Sequence, residues 1–279
     1  MSKKICLPLL SAVFVMWIYQ TNAQDSLLLA TTSPLNIGEG LTIQSHILDE
    51  ERRVNVYLPY GYSKDSVGKY PVIYLLDGSM DEDFIHIAGL VQFGSFPWIK
   101  MLPESVIIGI ANIDRKKDFT FPTNNAQDQI DFPTTGGSAK FIQFIEEELQ
   151  PIVNSNYSVN ATQTLIGQSM GGLLATEILF KKPDLFDNYI IVSPSLWWDN
   201  ESLLRYDDIQ NISGKKIYVA VGKEGEIMER SALTLYTRLN EEFSKDNTIF
   251  YKFLEARNHG DALHLAVYSA FEAIFKKSK

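Results

Sequence analysis

Leu165-Ile166-Gly167-Gln168-Ser169-Met170-Gly171-Gly172 runs straight into Leu173-Leu174-Ala175-Thr176-Glu177-Ile178-Leu179. The apolar run predicts a buried strand, the residues after it an amphipathic helix, and the glycines a sharp turn between the two. A serine held in such an elbow leaves no room for a Cβ two positions before or after it, a demand that Gly167 and Gly171 meet. The helix would aim its N-terminal amides and positive dipole end at the serine. An oxyanion forming there would meet donors already in place, the Met170 amide among them. Ser169 is therefore the candidate nucleophile. A bare G-x-S-x-G pattern also describes an ordinary glycine-rich turn with a solvated serine, so the rest of the chain must decide between them.

Outward from the elbow, other continuous apolar runs predict parallel strands buried on both faces. Val72-Ile73-Tyr74-Leu75-Leu76 ends in Asp77-Gly78-Ser79. Ligand sites in such sheets lie beyond the carboxyl ends of the strands, so the Gly78-Ser79 turn is a candidate for the second oxyanion amide, that of Ser79. Ser105 to Ala111 is the next such strand. It ends in the charged segment Asn112-Ile113-Asp114-Arg115-Lys116-Lys117-Asp118, where Arg115 either holds an anionic part of a substrate or pairs with Asp118 to shape the loop. Tyr189 to Val192 ends in Ser193-Pro194-Ser195-Leu196-Trp197-Trp198. Adjacent side chains on extended backbone face opposite ways, so at least one of Trp197 and Trp198 should approach the site and suit an aromatic or sugar substrate; the alternative is that both cap the core.

Serine alone is a weak nucleophile and needs a base, and the base needs an acid to fix its tautomer. The strand Ile217 to Val221 ends in Gly222-Lys223-Glu224-Gly225-Glu226, and the strand Thr248 to Leu254 ends in Glu255-Ala256-Arg257-Asn258-His259-Gly260-Asp261. Ser169, an acid and His259 thus follow in the serine-acid-histidine order, each just after a predicted strand. Glu224, nearer the strand end, is the preferred acid, while Glu226 stands where the next helix begins. His264 falls inside the last helix, His46 in an alternating hairpin (Leu41–Ile47 and Arg53–Leu58, with a turn at Asp49-Glu50-Glu51), and His86 in a packed surface segment. A further helix is expected from Ser138 to Leu149, closed by Pro151.

The chain has 279 residues, a net charge of −9 and a single cysteine. Lys3 and Lys4 before the apolar stretch Ile5 to Tyr19, then Thr21-Asn22-Ala23, predict a cleavable secretory signal over residues 1–23. That stretch is shorter than the ~20 apolar residues of a spanning helix, so no stable membrane insertion is expected after its removal. Cleavage removes two lysines and no acid, moving the net charge from −9 to −11, which makes nucleic acid and anionic membranes poor partners. Cys6 leaves with the signal, and a mature chain without disulfides fits a bacterial periplasmic or secreted location. Residues 24–279 suffice for a single α/β domain. No H-E-x-x-H, Cys/His cluster or acidic calcium loop points to a metal, and no cofactor is implied.

On these segments the chain resembles the esterase D-like branch of the α/β-hydrolases, the Putative esterase family, which includes enterobactin-type siderophore esterases and feruloyl or acetylxylan esterases. The likeness rests on Arg52 to Pro59, Tyr70 to Gly78, Gly109 to Arg115, Gly167 to Gly172, Ser193 to Trp198 and His259-Gly260. It implies an α/β-hydrolase fold, a central mostly parallel sheet with helices on both faces. It further implies that Ser169 is the nucleophile, His259 the base and the Met170 amide part of the oxyanion hole. The expected activity is hydrolysis of carboxylic esters through an acyl-enzyme. The expected substrate is a small-molecule or oligosaccharide ester, either a siderophore lactone or an acylated or feruloylated polysaccharide. The competing expectation is a homologue that binds such a ligand without turning it over.

Overall fold

Continuous apolar strands require cover on both of their faces, and that cover organises the molecule. The computed structural model describes residues 32–66 and 70–276; the expected signal at 1–23 lies outside the described residues. The chain divides into two units, Met1–Leu35 and Asn36–Lys279, and all that follows concerns the second.

β1 (Gly38–Ser45) and β2 (Glu50–Tyr57) form an antiparallel hairpin. Its turn lies over residues 46–49, earlier than expected, because Glu50 and Glu51 enter the ladder opposite Ser45 and Gln44. There follow β3 (Tyr70–Leu75), α1 (Phe84–Ser95), β4 (Val106–Ile110), and the short helices α2 (Arg115–Asp118) and α3 (Ala126–Asp131). Next come α4 (Ser138–Phe144), α5 (Gln150–Asn156), β5 (Val159–Gln168), α6 (Met170–Lys181) and β6 (Asn188–Val192). α7 (Trp198–Glu201), β7 (Lys216–Gly222), α8 (Glu226–Phe243), β8 (Thr248–Leu254) and α9 (Leu263–Phe275) complete the order. The eight strands make one sheet ordered β1-β2-β4-β3-β5-β6-β7-β8. β2 runs antiparallel to β1 and β4, and every other pair is parallel.

Strand alternation separates the core into two layers. Val72, Tyr74, Leu165, Ile191 and Val219 pack on one side with Phe141, Leu173 and Leu235, so α4, α6 and α8 cover that face. Ile73, Leu75, Ile166, Ile190 and Ala220 pack on the other with Phe84, Ile87, Ala266 and Phe271, from α1 and α9. Each large apolar side chain buried this way contributes about 1.5–3 kcal/mol, and together they fix the strand ends. Because β3 to β8 are parallel, their carboxyl ends open on one edge of the sheet, where the functional side chains gather.

Pro151 does not close the helix that begins at Ser138. A π-helical turn, Ile145–Leu149, joins α4 to α5. A proline inside a helix has no N–H to donate and crowds the carbonyl four residues back, and the widened turn accommodates both effects. Among the described residues no helix is long and apolar enough to cross a membrane.

Candidate active site

β5 delivers the chain to Ser169 and α6 carries it away, with Ser169 at φ 59° and ψ −119°. A non-glycine residue in that conformation stores about 1–3 kcal/mol of strain. Asp77 (φ 56°) and Ser193 (φ 44°) are strained in the same sense just beyond the ends of β3 and β6. A Cβ on Gly167 would lie 2.3 Å from the Gly171 oxygen, and one on Gly172 would lie 2.9 Å from Pro194 Cα. The steric demand therefore falls on Gly167 and Gly172. Gly171, expected to share it, has Asp77 Oδ2 as its nearest obstacle, at 3.3 Å. Met170 is the first residue of α6, so its N–H has no acceptor within the helix. Ser169 Oγ lies 3.2 Å from Ser195 Oγ, and the Ser195 N–H donates to the Ser169 oxygen at 3.0 Å.

Of the two candidate acids, the structure joins Glu224 to His259. His259 Nδ1 is 2.6 Å from Glu224 Oε2. The opposite oxygen of Glu224 accepts from Ser193 Oγ at 2.5 Å and from the Gly222 N–H at 2.8 Å. Burial pushes the Glu224 carboxyl upward, yet the hydrogen bonds from His259, Ser193 and Gly222 outweigh it and hold the group below its ordinary value. An ionised Glu224 makes Nδ1 the donor and leaves Nε2 as the basic nitrogen. Glu226 is exposed at the start of α8. The Glu224 and Gly225 N–H groups both donate to Glu229 Oε1 at 2.9 Å, which anchors the acid loop to that helix. The His259 loop is held as firmly: the Gln168 side chain donates to the His259 oxygen at 2.6 Å, and the Lys223 N–H to the Arg257 oxygen at 2.6 Å.

Ser169, Gln168, His259 and Gly260 line one side of a pocket whose other side is Asp77, Glu82, Asp83 and Arg115. The Arg115–Asp118 pair does not form. Asp118 is buried against Arg52, while Arg115 grips Asp77 through two bonds of 2.6 and 2.8 Å and donates to the Gln168 oxygen at 3.2 Å. The Ser79 N–H, expected to face an oxyanion, donates to Glu82 Oε2 at 3.2 Å, and the Gly78 N–H donates to the Ile110 oxygen at 2.9 Å. Asn112 Nδ2 braces this arrangement, reaching Asp77 Oδ1 at 2.7 Å and Glu82 Oε1 at 3.0 Å. Asp83 is pushed up to about 6, first by burial and then by its neighbours Asp77 and Glu82.

A family model described as Putative esterase matches residues 45–264. The chain belongs to this esterase family. It is 32% identical over 173 residues to the ferri-bacillibactin esterase BesA of Bacillus subtilis (strain 168), a match covering 57% of this chain and 60% of the relative. It is 26% identical over 193 residues to an endo-1,4-beta-xylanase/feruloyl esterase of Xylanibacter ruminicola, covering 64% of this chain and 25% of that protein. The matches thus span less than two thirds of these relatives' length. Among solved structures, an IroE-like serine hydrolase from Shewanella oneidensis superposes with a TM-score of 0.76 at 29% identity, covering 86% of this chain and 80% of that one. The fold is that of the α/β-hydrolases.

Within this esterase-family fold the tryptophans do not stand as expected. Trp198 is fully buried, its Nε1–H donates to the Phe121 oxygen at 2.9 Å, and its ring packs edge-on against Phe132. It is a core residue and not a substrate contact. The backbone has already turned helical at Trp197 (φ −68°, ψ −17°), so the alternation of an extended strand does not apply. Trp197 is half-buried against Phe132 and lies outside the pocket of Ser169. His264 stacks on His86 across α9 and α1, ring centroids 4.5 Å apart, and His46 is exposed in the hairpin turn. The residues that sequence reasoning passed over are Gln168, Ser193, Ser195, Asp77, Glu82 and Asp83. Asp77, Ser193 and Ser195 carried the same signal as the candidates, a polar residue just past a buried strand.

Proposed function

We propose that the protein is an exported serine carboxylesterase acting through an acyl-enzyme on Ser169. The observation that carries this reading is the buried Glu224 carboxylate on His259 Nδ1, in a pocket shared with Ser169 at its strained elbow. In the reaction, Ser169 Oγ turns from Ser195 toward His259 Nε2, gives it the proton and attacks the ester carbonyl. The Met170 amide stabilises the oxyanion, joined by the Ser79 amide once Glu82 has moved aside. Collapse of the tetrahedral intermediate expels the alcohol, which takes the proton from His259. A water molecule, deprotonated by His259, then attacks the acyl carbon and releases the acid and free Ser169. No step calls for a cofactor. Export rests on the signal-like residues 1–23.

The ester is drawn from two classes, a siderophore lactone or an acylated or feruloylated polysaccharide. Support for both comes from the relatives, one a ferri-bacillibactin esterase and another a xylanase/feruloyl esterase. The purified Ser169→Ala variant should lose hydrolysis of a short p-nitrophenyl ester together with labelling by a fluorophosphonate. Hydrolysis unchanged in that variant would overturn the mechanism. Wild-type rates on a trilactone and on feruloylated arabinose, measured side by side, then separate the two classes.

A further inference from the structure

The pocket that Ser169 faces has an unbalanced charge. Three carboxylates, Asp77, Glu82 and Asp83, line it against one guanidinium, Arg115. Arg115 is also not available to a ligand on its Nε and Nη2 edges, since both are engaged by Asp77 and the planar group lies 5.5 Å over the Phe119 ring. Outside the pocket lining, Arg257 pairs with Asp261 at 3.3 Å and Lys116 Nζ donates to the Asp131 oxygen at 3.2 Å. Glu82 bears on the proposed oxyanion site, because its carboxylate, bonded by Asn112, accepts from the Ser79 amide.

We infer that Glu82, with Asp77 and Asp83 beside it, is the specificity-determining residue of this site and selects uncharged, hydroxyl-rich esters over anionic ones. The inference rests on the esterase reading of Ser169 and narrows it. Carboxylates accept hydrogen bonds from sugar or catechol hydroxyls, whereas a carboxylate or a ferric catecholate brought to the same wall meets like charge. The substrate that fits is an acylated sugar or a lactone whose catechols remain protonated and metal-free. Arg115, which from the sequence could have drawn an anionic chelate, instead spends its charge on Asp77.

A matched pair of esters tests this on the full chain: p-nitrophenyl butyrate and p-nitrophenyl hemisuccinate, which differ by a terminal carboxylate. Wild-type kcat/KM should favour the butyrate by about tenfold or more at low salt, the penalty of like-charge juxtaposition. That ratio should shrink as added salt screens the wall. Glu82→Gln should narrow it several-fold, with fluorophosphonate labelling of Ser169 confirming that the variant is folded. A wild-type ratio near one, a ratio indifferent to salt, or a labelled Glu82→Gln variant with the wild-type ratio would each overturn the inference. Loss of hydrolysis and labelling in the wild type would overturn the esterase reading with it, whereas equal rates on the two esters overturn only the selectivity.

Discussion

The two sides of the pocket are built from the same kind of position, the residues just past a parallel strand, and they do opposite things with charge. On the side of β5 to β8, the polar groups follow one line: Ser193 and Gly222 hold Glu224, Glu224 holds His259, and Gln168 holds the His259 loop. On the side of β3 and β4, the groups turn on one another: Arg115 closes on Asp77, Glu82 closes on the Ser79 amide, and Asn112 ties the two carboxylates together. The first arrangement prepares a basic nitrogen for proton transfer. The second leaves net negative charge facing it. On the proposed mechanism chemistry falls to one rim and selection to the other, so substitutions on the two rims should differ in kind.

The largest effects belong to the first rim. His259→Ala should lower kcat by about 10⁴–10⁶, the range seen when a member of a serine triad is removed, and leave the fold intact by circular dichroism. Glu224→Gln should cost about 10⁴, because an amide can present its N–H to the histidine and favour the wrong tautomer. Glu226→Gln, altering an exposed residue at the head of α8, should leave the rate within about twofold. A larger loss in Glu226→Gln than in Glu224→Gln would reverse the assignment of the acid.

Ser193→Ala should act more gently, by about tenfold, and its signature is in the pH profile. Glu224 is held below its ordinary value of 4.5 in the folded state, so its contribution is present above that value and is lost as pH falls through the folded one. Removing the Ser193 donor raises the folded value, so the acid-side loss of stability should begin at higher pH than in the wild type. An unmoved onset would make Ser193 a loop-packing residue and no more.

The same contrast explains what could be read in the chain beforehand. The placement of Ser169, Glu224 and His259 at strand ends was legible because each sits at a boundary that local pattern marks, a continuous apolar run giving way to glycine and polar residues. The buried strands were legible for the same reason. The Arg115–Asp77 pair spans 38 positions, and nothing local distinguishes it from the nearer Asp118, which Arg52 of β2 had already taken. Trp198 misled because the reading assumed extended backbone, while the chain turns helical at Trp197 and sends the indole into the core. The π turn before Pro151 was hidden likewise, since a proline marks a helix end unless a widened turn absorbs it. Pairings between distant strand ends depend on the completed sheet, and so the selective rim had to be seen.

The smallest effect is the one that most sharpens the comparison. Asp83 heads α1 without a side-chain capping bond. Burial and the charges of Asp77 and Glu82 raise it to about 6, against His86 and Arg115, which favour its ionised form. Its folded value lies above the ordinary 3.8, so the native state holds a proton there that the unfolded chain has lost. Stability from this group therefore rises as pH falls from above 6 toward 3.8, and at higher pH the ionised group is a burden on the fold. Asp83→Asn should raise the melting temperature at about pH 8 by about 2–4 °C, the shift that about 1 kcal/mol produces in a domain of this size, and leave it unchanged at about pH 4. It should also weaken the bias against the hemisuccinate at neutral pH and not at acid pH. Equal melting temperatures at both pH values would mean that Asp83 is solvated and uncoupled from its neighbours, leaving the negative rim to Asp77 and Glu82 with Arg115 as its counterweight.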